Sequence, residues 1–284
     1  MIIDAHIHLF SAAVIANVGQ RKELVAELHL QADAAARRTG PDALRQALHL
    51  AGVGLALHLP TAKAAAVSKT NANAMDISRA FAFIATAGTL HPQYEAIPAE
   101  LSKLRAGGVR ALKLCSFSQG FQLDGPQAMT MWAHIQDFNR RNRNPFFVVL
   151  DTYCGADRHF GSAPAHTATP QRIALLTRCF PDICFVGAHM GGLDAPIDTL
   201  VRDLPAAPNL YLDTSNAAHV LTDDAFMRLL NIHGPERILF GTDWPWFHPR
   251  EEIERIDRLL IKSGFSKREC ELVFGANAAH LLGL

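Results

Sequence analysis

Eight short apolar runs, each followed by a polar or amphipathic stretch, constrain this chain of 284 residues more than any other feature. They are Ile2–His6, Gly54–His58, Phe81–Thr89, Val109–Leu114, Phe146–Leu150, Ile183–Ala188, Leu210–Leu212 and Ile238–Phe240. The runs are apolar almost throughout rather than at every second position. That pattern suits parallel strands whose two faces are both covered. Helical periodicity follows in Pro41–Ala51, Ala96–Ala106, Pro126–Asn142, Pro170–Phe180, Asp224–Ile232 and Arg250–Lys262, and Pro41, Pro126 and Pro170 stand where a first helical turn accepts proline. Strand and helix alternating through the whole length predict a (β/α)8 barrel of the TIM type, one domain spanning residues 1–284. A doubly wound open sheet is the alternative, but no glycine-rich phosphate loop follows any run. Three connections exceed a minimal barrel: Phe10–Gly40, which carries a helical pattern over Arg21–Arg38, then Cys115–Gly125 and Tyr153–Thr169. All three leave C-terminal strand ends, where barrel active sites are built, so they read as lid and substrate loops.

Composition narrows the class. Apolar residues make up 49% of the chain, enough for a large core, and 27 basic residues balance 27 acidic ones. With no charged block, neither nucleic acid nor an anionic membrane is an expected partner; a small-molecule substrate is. The five cysteines, at 115, 154, 179, 184 and 270, lack metal-knuckle spacing and read as reduced thiols, and no secretion signal or membrane-length apolar run is seen. A cytoplasmic location is therefore expected, and a homodimer is the assembly that analogy with barrel enzymes suggests.

The chemistry is concentrated at the ends of the predicted strands. The first ends in His6-Ile7-His8, and alternation along a strand puts both imidazoles on one face. The second ends at His58, and His91 lies just past the third. Lys113, Asp151, His189, Asp213 and Asp243 end the fourth to eighth. An isolated H-x-H is more simply two polar residues at a strand end. Nine ionisable groups converging on one rim are not, because buried charges are costly unless paired or bound to metal. Neutral imidazoles with one or two carboxylates suit Zn²⁺, with Mn²⁺ or Fe²⁺ as alternatives. Water on such an ion falls in pKa from about 15.7 toward about 7. His189 and Asp243 are the candidate proton carriers, and Lys113 and Arg250 the candidate cations for a substrate oxygen or carboxylate.

The stretches IIDAHIH, GTLHPQY, GGVRALKL with FQLDGP, TPQRIALLTRCFPDICFVGAHMGG, NLYLDTS and ERILFGTDWPW span almost the whole chain. In this order they resemble the amidohydrolase superfamily, and within it the amidohydrolase-2 branch that includes aminocarboxymuconate-semialdehyde decarboxylase and dicarboxylate lactonases. The resemblance implies one divalent ion, held by His6, His8 and Asp243, with Asp243 doubling as proton carrier and His189 as acid/base or transition-state stabiliser. Where the family has a metal-binding histidine at the end of strand five, this chain reads Val149-Leu150-Asp151-Thr152, so Asp151 is the expected further ligand. A carboxylate there favours harder ions such as Mn²⁺ relative to zinc. In binuclear relatives a carbamylated strand-four lysine bridges two metals. The one-metal branch is the closer match, and there Lys113 would be a substrate or structural cation. His58, His91, Trp244 and Arg250 complete the expected substrate-binding set, with Trp246 and His248 beside Trp244 as pocket floor. Asp213 with Thr214 reads either as support behind the ligands or as a cap for the next helix, the cap being the favoured reading.

Three functions follow as expectations. The first is hydrolysis of a small carboxylated lactone or cyclic amide by metal-activated water. The second is non-oxidative decarboxylation of an aromatic or enoic acid with the same ligands. The third is a non-catalytic relative with an altered metal site.

Overall fold

In the computed structural model, which describes residues 1–284, every apolar run forms a strand. These are β1 (Ile2–Ile7), β2 (Val53–His58), β3 (Ile84–Thr89), β4 (Ala111–Leu114), β5 (Phe147–Leu150), β6 (Cys184–Gly187), β7 (Leu210–Asp213) and β8 (Ile238–Leu239). They pair in chain order, all parallel. The ring closes where Ala5 N donates to Phe240 O at 2.8 Å, Asp243 N to His6 O at 2.9 Å and His8 N to Trp244 O at 2.7 Å. This is a (β/α)8 barrel.

The continuous hydrophobicity of the runs has a direct cause. Ile3, Leu57, Ala87, Ala111, Phe147, Val149, Val186 and Leu239 form an inner cluster. Their neighbours Leu112, Leu114, Val148, Leu150 and Phe185 pack outward against helix residues such as Leu104, Ile135 and Ile173. Each fully buried Leu or Phe contributes about 1.5–3 kcal/mol, so neither face tolerates a polar residue without a reason. Alternation then places the exceptions: Lys113 follows Ala111 inward, and Asp151 follows Phe147 and Val149. In β1 the pairing register shifts between Asp4 and Ile7. Ile3 and Ala5 belong to the inner cluster, whereas Ile7 packs outside against Leu44 and Leu48. The irregularity turns His6 and His8 toward the barrel mouth, as strand bulges beside active sites do.

The six expected helices are present within two residues at each end, as Gly40–Ala51, Ile97–Ala106, Pro126–Arg140, Pro170–Cys179, Asp223–His233 and Pro249–Lys262. The insertion after β1 differs from expectation: instead of one helix over 21–38 it holds three short ones, Ala12–Gly19, Lys22–Glu27 and Ala32–Ala35. The break between the last two is at His29, whose φ is +52°. Helices Val67–Ala80 and Ile197–Asp203, unexpected from the sequence, complete the crossovers after β2 and β6. The terminal helix Asn277–Leu282 packs Ala278 and Leu281 against the inner cluster and plugs the end of the barrel opposite the strand C-termini. No helix is long and apolar enough to cross a membrane.

Candidate metal centre

Asp4 ties the first and last strands together beneath the site. Its Oδ1 accepts from Thr242 N at 3.0 Å and His6 N at 3.2 Å, and its Oδ2 accepts from Thr242 Oγ1 at 2.6 Å. Burial pushes the carboxyl up to about 7 despite these bonds. Gly241 lets the strands meet, since a Cβ there would lie 2.8 Å from His6 Cβ. Beyond it Asp243 turns back into the barrel mouth with φ +60°; His189 after β6 (+54°) and Asn216 after β7 (+56°) share this left-handed conformation. Three non-glycine residues in a sparsely populated region at adjacent strand ends indicate a backbone held by its surroundings for a purpose.

Three imidazoles face one another there, each fixed from behind. His6 Nδ1 lies 2.8 Å from Asp213 Oδ2 and 3.0 Å from Ser215 Oγ. His8 Nδ1 donates to Leu59 O at 3.2 Å, and His189 Nδ1 to Ser215 O at 2.8 Å. A carbonyl can only accept, so the ring protons of His8 and His189 sit on Nδ1, and the Asp213 carboxylate fixes His6 alike. The Nε2 atoms are then bare lone pairs. Yet Nε2 of His6 and His8 are 3.1 Å apart, with Asp243 Oδ1 3.4 Å from His8 Nε2 and 3.9 Å from His6 Nε2. Two lone pairs and a carboxylate oxygen this close repel unless a cation stands between them. Tetrahedral ligands at about 2.0–2.1 Å from zinc are themselves about 3.3 Å apart, so the donor set fits a divalent ion. Burial, chiefly, lowers His6 to about 4 and keeps it neutral, as a metal ligand must be. For Asp243, burial opposes ionisation, but the close approach of the His8 ring, with Nε2 3.4 Å away, and the other polar groups of the site outweigh it and hold the carboxyl at about 2.

Asp213 is the correction to the sequence reading. It caps no helix; the short helix Ala217–Val220 starts without a side-chain cap. Its Oδ1 accepts from His189 N at 3.0 Å, Ser215 N at 3.1 Å and Ser215 Oγ, while Oδ2 holds His6. With Ser215, which is 2.8 Å from His189 Nδ1, it links the His6 and His189 rings. Sequence reasoning misses Asp4 and Ser215 altogether. For Asp4 a signal exists, a charged residue inside an otherwise apolar strand.

Asp151 and Lys113 enter the mouth side by side. Asp151 Oδ2 is 3.4 Å from Lys113 Nζ and Oδ1 is 3.9 Å from His189 Nε2. Burial alone would raise the Asp151 pKa; Lys113 and the three imidazoles reverse this and leave it below the ordinary carboxylate value. Asp151 thus lies beside the His6–His8–Asp243 cluster, its charge answered by a lysine that is fully buried and makes no hydrogen bond. His58 also faces the cavity, its Nδ1 unpartnered, and burial next to His8 lowers it to about 3.

The cluster floors a cavity of about 570 Å³. All three long connections contribute walls: Phe10, Val14, Val18, Leu24, Leu28 and Leu30 from the insertion after β1, Cys115, Phe117 and Ser118 after β4, and Tyr153 and Phe160 after β5. Glu27 clasps two of them together, accepting from Tyr153 Oη at 2.9 Å, His159 Nε2 at 2.9 Å and Arg158 at 2.8 Å. Three residues expected to bind substrate lie elsewhere. His91 is turned away, with Nε2 3.2 Å from Gln119 O and Nδ1 accepting from Gln93 N at 3.1 Å. Trp244 is fully buried outside the barrel with Ile7, Leu44 and Leu48, because the turn that brings Asp243 inward sends its neighbour out. Arg250 sits on the surface and pairs with Glu254 at 3.2 Å. Trp246 does line the cavity, whereas His248 accepts from Arg250 N at the start of a helix.

A family model described as amidohydrolase matches residues 3–284. No curated protein matches the sequence. Among solved structures, the chain is similar to an amidohydrolase from Burkholderia multivorans with bound zinc (17% identity, TM-score 0.72, 100% of this chain and 99% of that one). It is also similar to a putative 2-pyrone-4,6-dicarboxylic acid hydrolase from Pseudomonas putida (18%, 0.65, 99% and 97%). A third is dihydroxybenzoic acid decarboxylase from a Polaromonas species with bound manganese and the inhibitor 2-nitroresorcinol (16%, 0.67, 100% and 97%). At these identities the three establish a shared fold. The family match, by contrast, runs from β1 to the last residue, and the chain belongs to the amidohydrolase family, in its amidohydrolase-2 branch.

Proposed function

We propose that this protein is a metal-dependent hydrolase that adds water to the carbonyl carbon of a small lactone or related cyclic acyl compound. The observation that carries the reading is the 3.1 Å approach of two Nε2 lone pairs beside the Asp243 carboxylate, each ring locked from behind. His6, His8 and Asp243 would hold the ion; Asp151 lies outside that group and faces Lys113 at 3.4 Å and His189 Nε2 at 3.9 Å. A divalent ion bound there would supply Lewis-acid polarisation of a carbonyl oxygen and would lower the pKa of water.

The surrounding side chains divide the remaining work. Asp243, with its proton affinity depressed to about 2, serves better as a ligand than as a lasting proton store. His189 presents a bare Nε2 to the cavity and accepts the proton of the attacking water. Asp151, 3.9 Å from that nitrogen, stabilises the imidazolium formed. The imidazolium then delivers its proton to the leaving alkoxide, which is general acid–base catalysis by one group acting twice. The Asp213–Ser215 pair keeps the His189 ring from rotating between the two transfers. Lys113 is the one lysine or arginine lining the cavity, and it faces Asp151 at 3.4 Å, so its charge is already answered within the protein.

The test is to load the protein with Zn²⁺ or Mn²⁺ and incubate it with lactones, cyclic amides and aromatic acids in parallel. Ring-opened hydroxy acid, lost in His189→Ala, is the expected product. Release of CO₂ from an aromatic acid with no ring opening would replace hydrolysis by decarboxylation on the same residues. Absence of both, with metal bound, would refute catalysis at this centre.

A further inference from the structure

The cavity is divided by polarity. Its charged groups, Lys113, Asp151 and Asp243, all lie on the floor beside the imidazoles. The lysine is not free for a distal anion, since it faces Asp151 at 3.4 Å. Of the 28 lining residues 16 are apolar, and Phe10, Leu24, Leu30, Phe117, Phe160 and Trp246 among them come from the connections that cover the mouth. Several of these pack on one another: Phe10 is 6.0 Å from Trp246 between ring centres, and Phe117 is 5.3 Å from Phe160. No arginine lines the cavity.

We propose that the substrate is an uncharged lactone with an apolar side chain of several carbons, the ring at the floor and the chain beneath the insertion after β1. This rests on the hydrolytic reading above. A volume of about 570 Å³ is that of a site for a molecule well beyond a bare five-membered ring. An apolar chain is what such walls stabilise, at about three- to fourfold in affinity for each methylene group buried. A carboxylate at the end of that chain would lose its water against aromatic and leucine side chains and find no cation, the polar groups away from the floor being neutral ones such as Thr61, Thr70, Asn73 and Ser118. In the reaction one water is consumed. Its oxygen bonds the acyl carbon, the ring C–O bond breaks, one proton ends on the alcohol oxygen, and the other leaves to solvent from the new carboxylic acid.

Two series of compounds test this on the metal-loaded protein. γ-Lactones with ethyl, butyl and hexyl side chains, and counterparts ending in a carboxylate, are compared by kcat/KM. 2-Alkylcyclopentanones of the same chain lengths, which cannot be hydrolysed, are compared by calorimetry. We expect both kcat/KM and ketone affinity to rise about three- to fourfold per methylene, and each carboxylate-ended lactone to fall at least tenfold below its methyl-ended partner. Val14 lines the cavity and is 42% exposed, so Val14→Arg brings a cation under the cover without emptying the core. It should raise the carboxylate-to-methyl ratio about tenfold. Turnover that favours carboxylate-ended lactones would overturn the substrate class and leave hydrolysis standing. Chain-length-dependent ketone binding with no lactone turnover would overturn hydrolysis and leave the apolar selection standing. No ketone binding, or an unchanged ratio in Val14→Arg, would overturn the substrate class.

Discussion

Replacing Asp213 by asparagine changes one atom and should remove most of the metal affinity. Asp213 Oδ1 accepts three donors, His189 N, Ser215 N and Ser215 Oγ, so the amide oxygen of the substituted side chain must take that position. The amide nitrogen then replaces Oδ2, 2.8 Å from His6 Nδ1, and two N–H groups confront each other. Flipping the amide only moves the conflict to the other three donors. His6 relieves it by shifting its proton to Nε2, which is the atom needed for the metal. Loss of a carboxylate behind a ligating histidine costs 10- to 100-fold in affinity, about 1.4–2.7 kcal/mol. Here the inverted tautomer puts the expectation at the upper end, about 100-fold. Competition with a chromogenic chelator for Zn²⁺ and Mn²⁺ gives the number, and circular dichroism confirms that the variant is folded. A folded Asp213→Asn protein whose affinity lies within about threefold of wild type would refute the orienting role of Asp213.

Two further outcomes follow from the buried charges. Lys113→Met leaves Asp151 ionised in the barrel mouth without its counter-charge and should destabilise the metal-free protein by about 3–5 kcal/mol in urea unfolding; adding Asp151→Asn should recover most of the loss, and a single-variant effect below about 1 kcal/mol would contradict the pairing. His58 has its folded pKa lowered to about 3 from 6.5, so its neutral form is the one the fold favours. Its contribution is fully present above about pH 6.5 and is lost as pH falls from there toward 3. The stability of metal-free wild type relative to His58→Leu should therefore drop by about 1.4 kcal/mol per pH unit between about pH 6 and 4.5, and a flat difference would show that His58 is solvated.

The barrel is legible because its strands are buried on two faces, which leaves a signal that few other segments imitate. The helix Val67–Ala80 is hidden because its buried positions include Asn71, which bonds the backbone of Thr89 in both directions where a hydrophobic residue would have marked the pattern. The insertion reads as one helix because its break, at His29, has neither glycine nor proline. At the site, periodicity points His6, His8, Lys113 and Asp151 toward one mouth, where the structure has them. It does not reveal that the left-handed turn at Asp243 sends Trp244 outward, nor that His91, two residues past β3, bonds Gln119 from the next loop. Backbone turns and long-range hydrogen bonds decide such placements, and neither has a period in the sequence. Asp213 misleads for a related reason, since its partner His6 lies 207 residues away.

Anomalous diffraction from crystals of the zinc-loaded protein bears most directly on the claim that residues from the first and last strands hold one metal. A single peak about 2.0–2.2 Å from His6 Nε2, His8 Nε2 and an Asp243 oxygen is the predicted result. Zinc bound elsewhere, or none at all on a folded barrel, would contradict it.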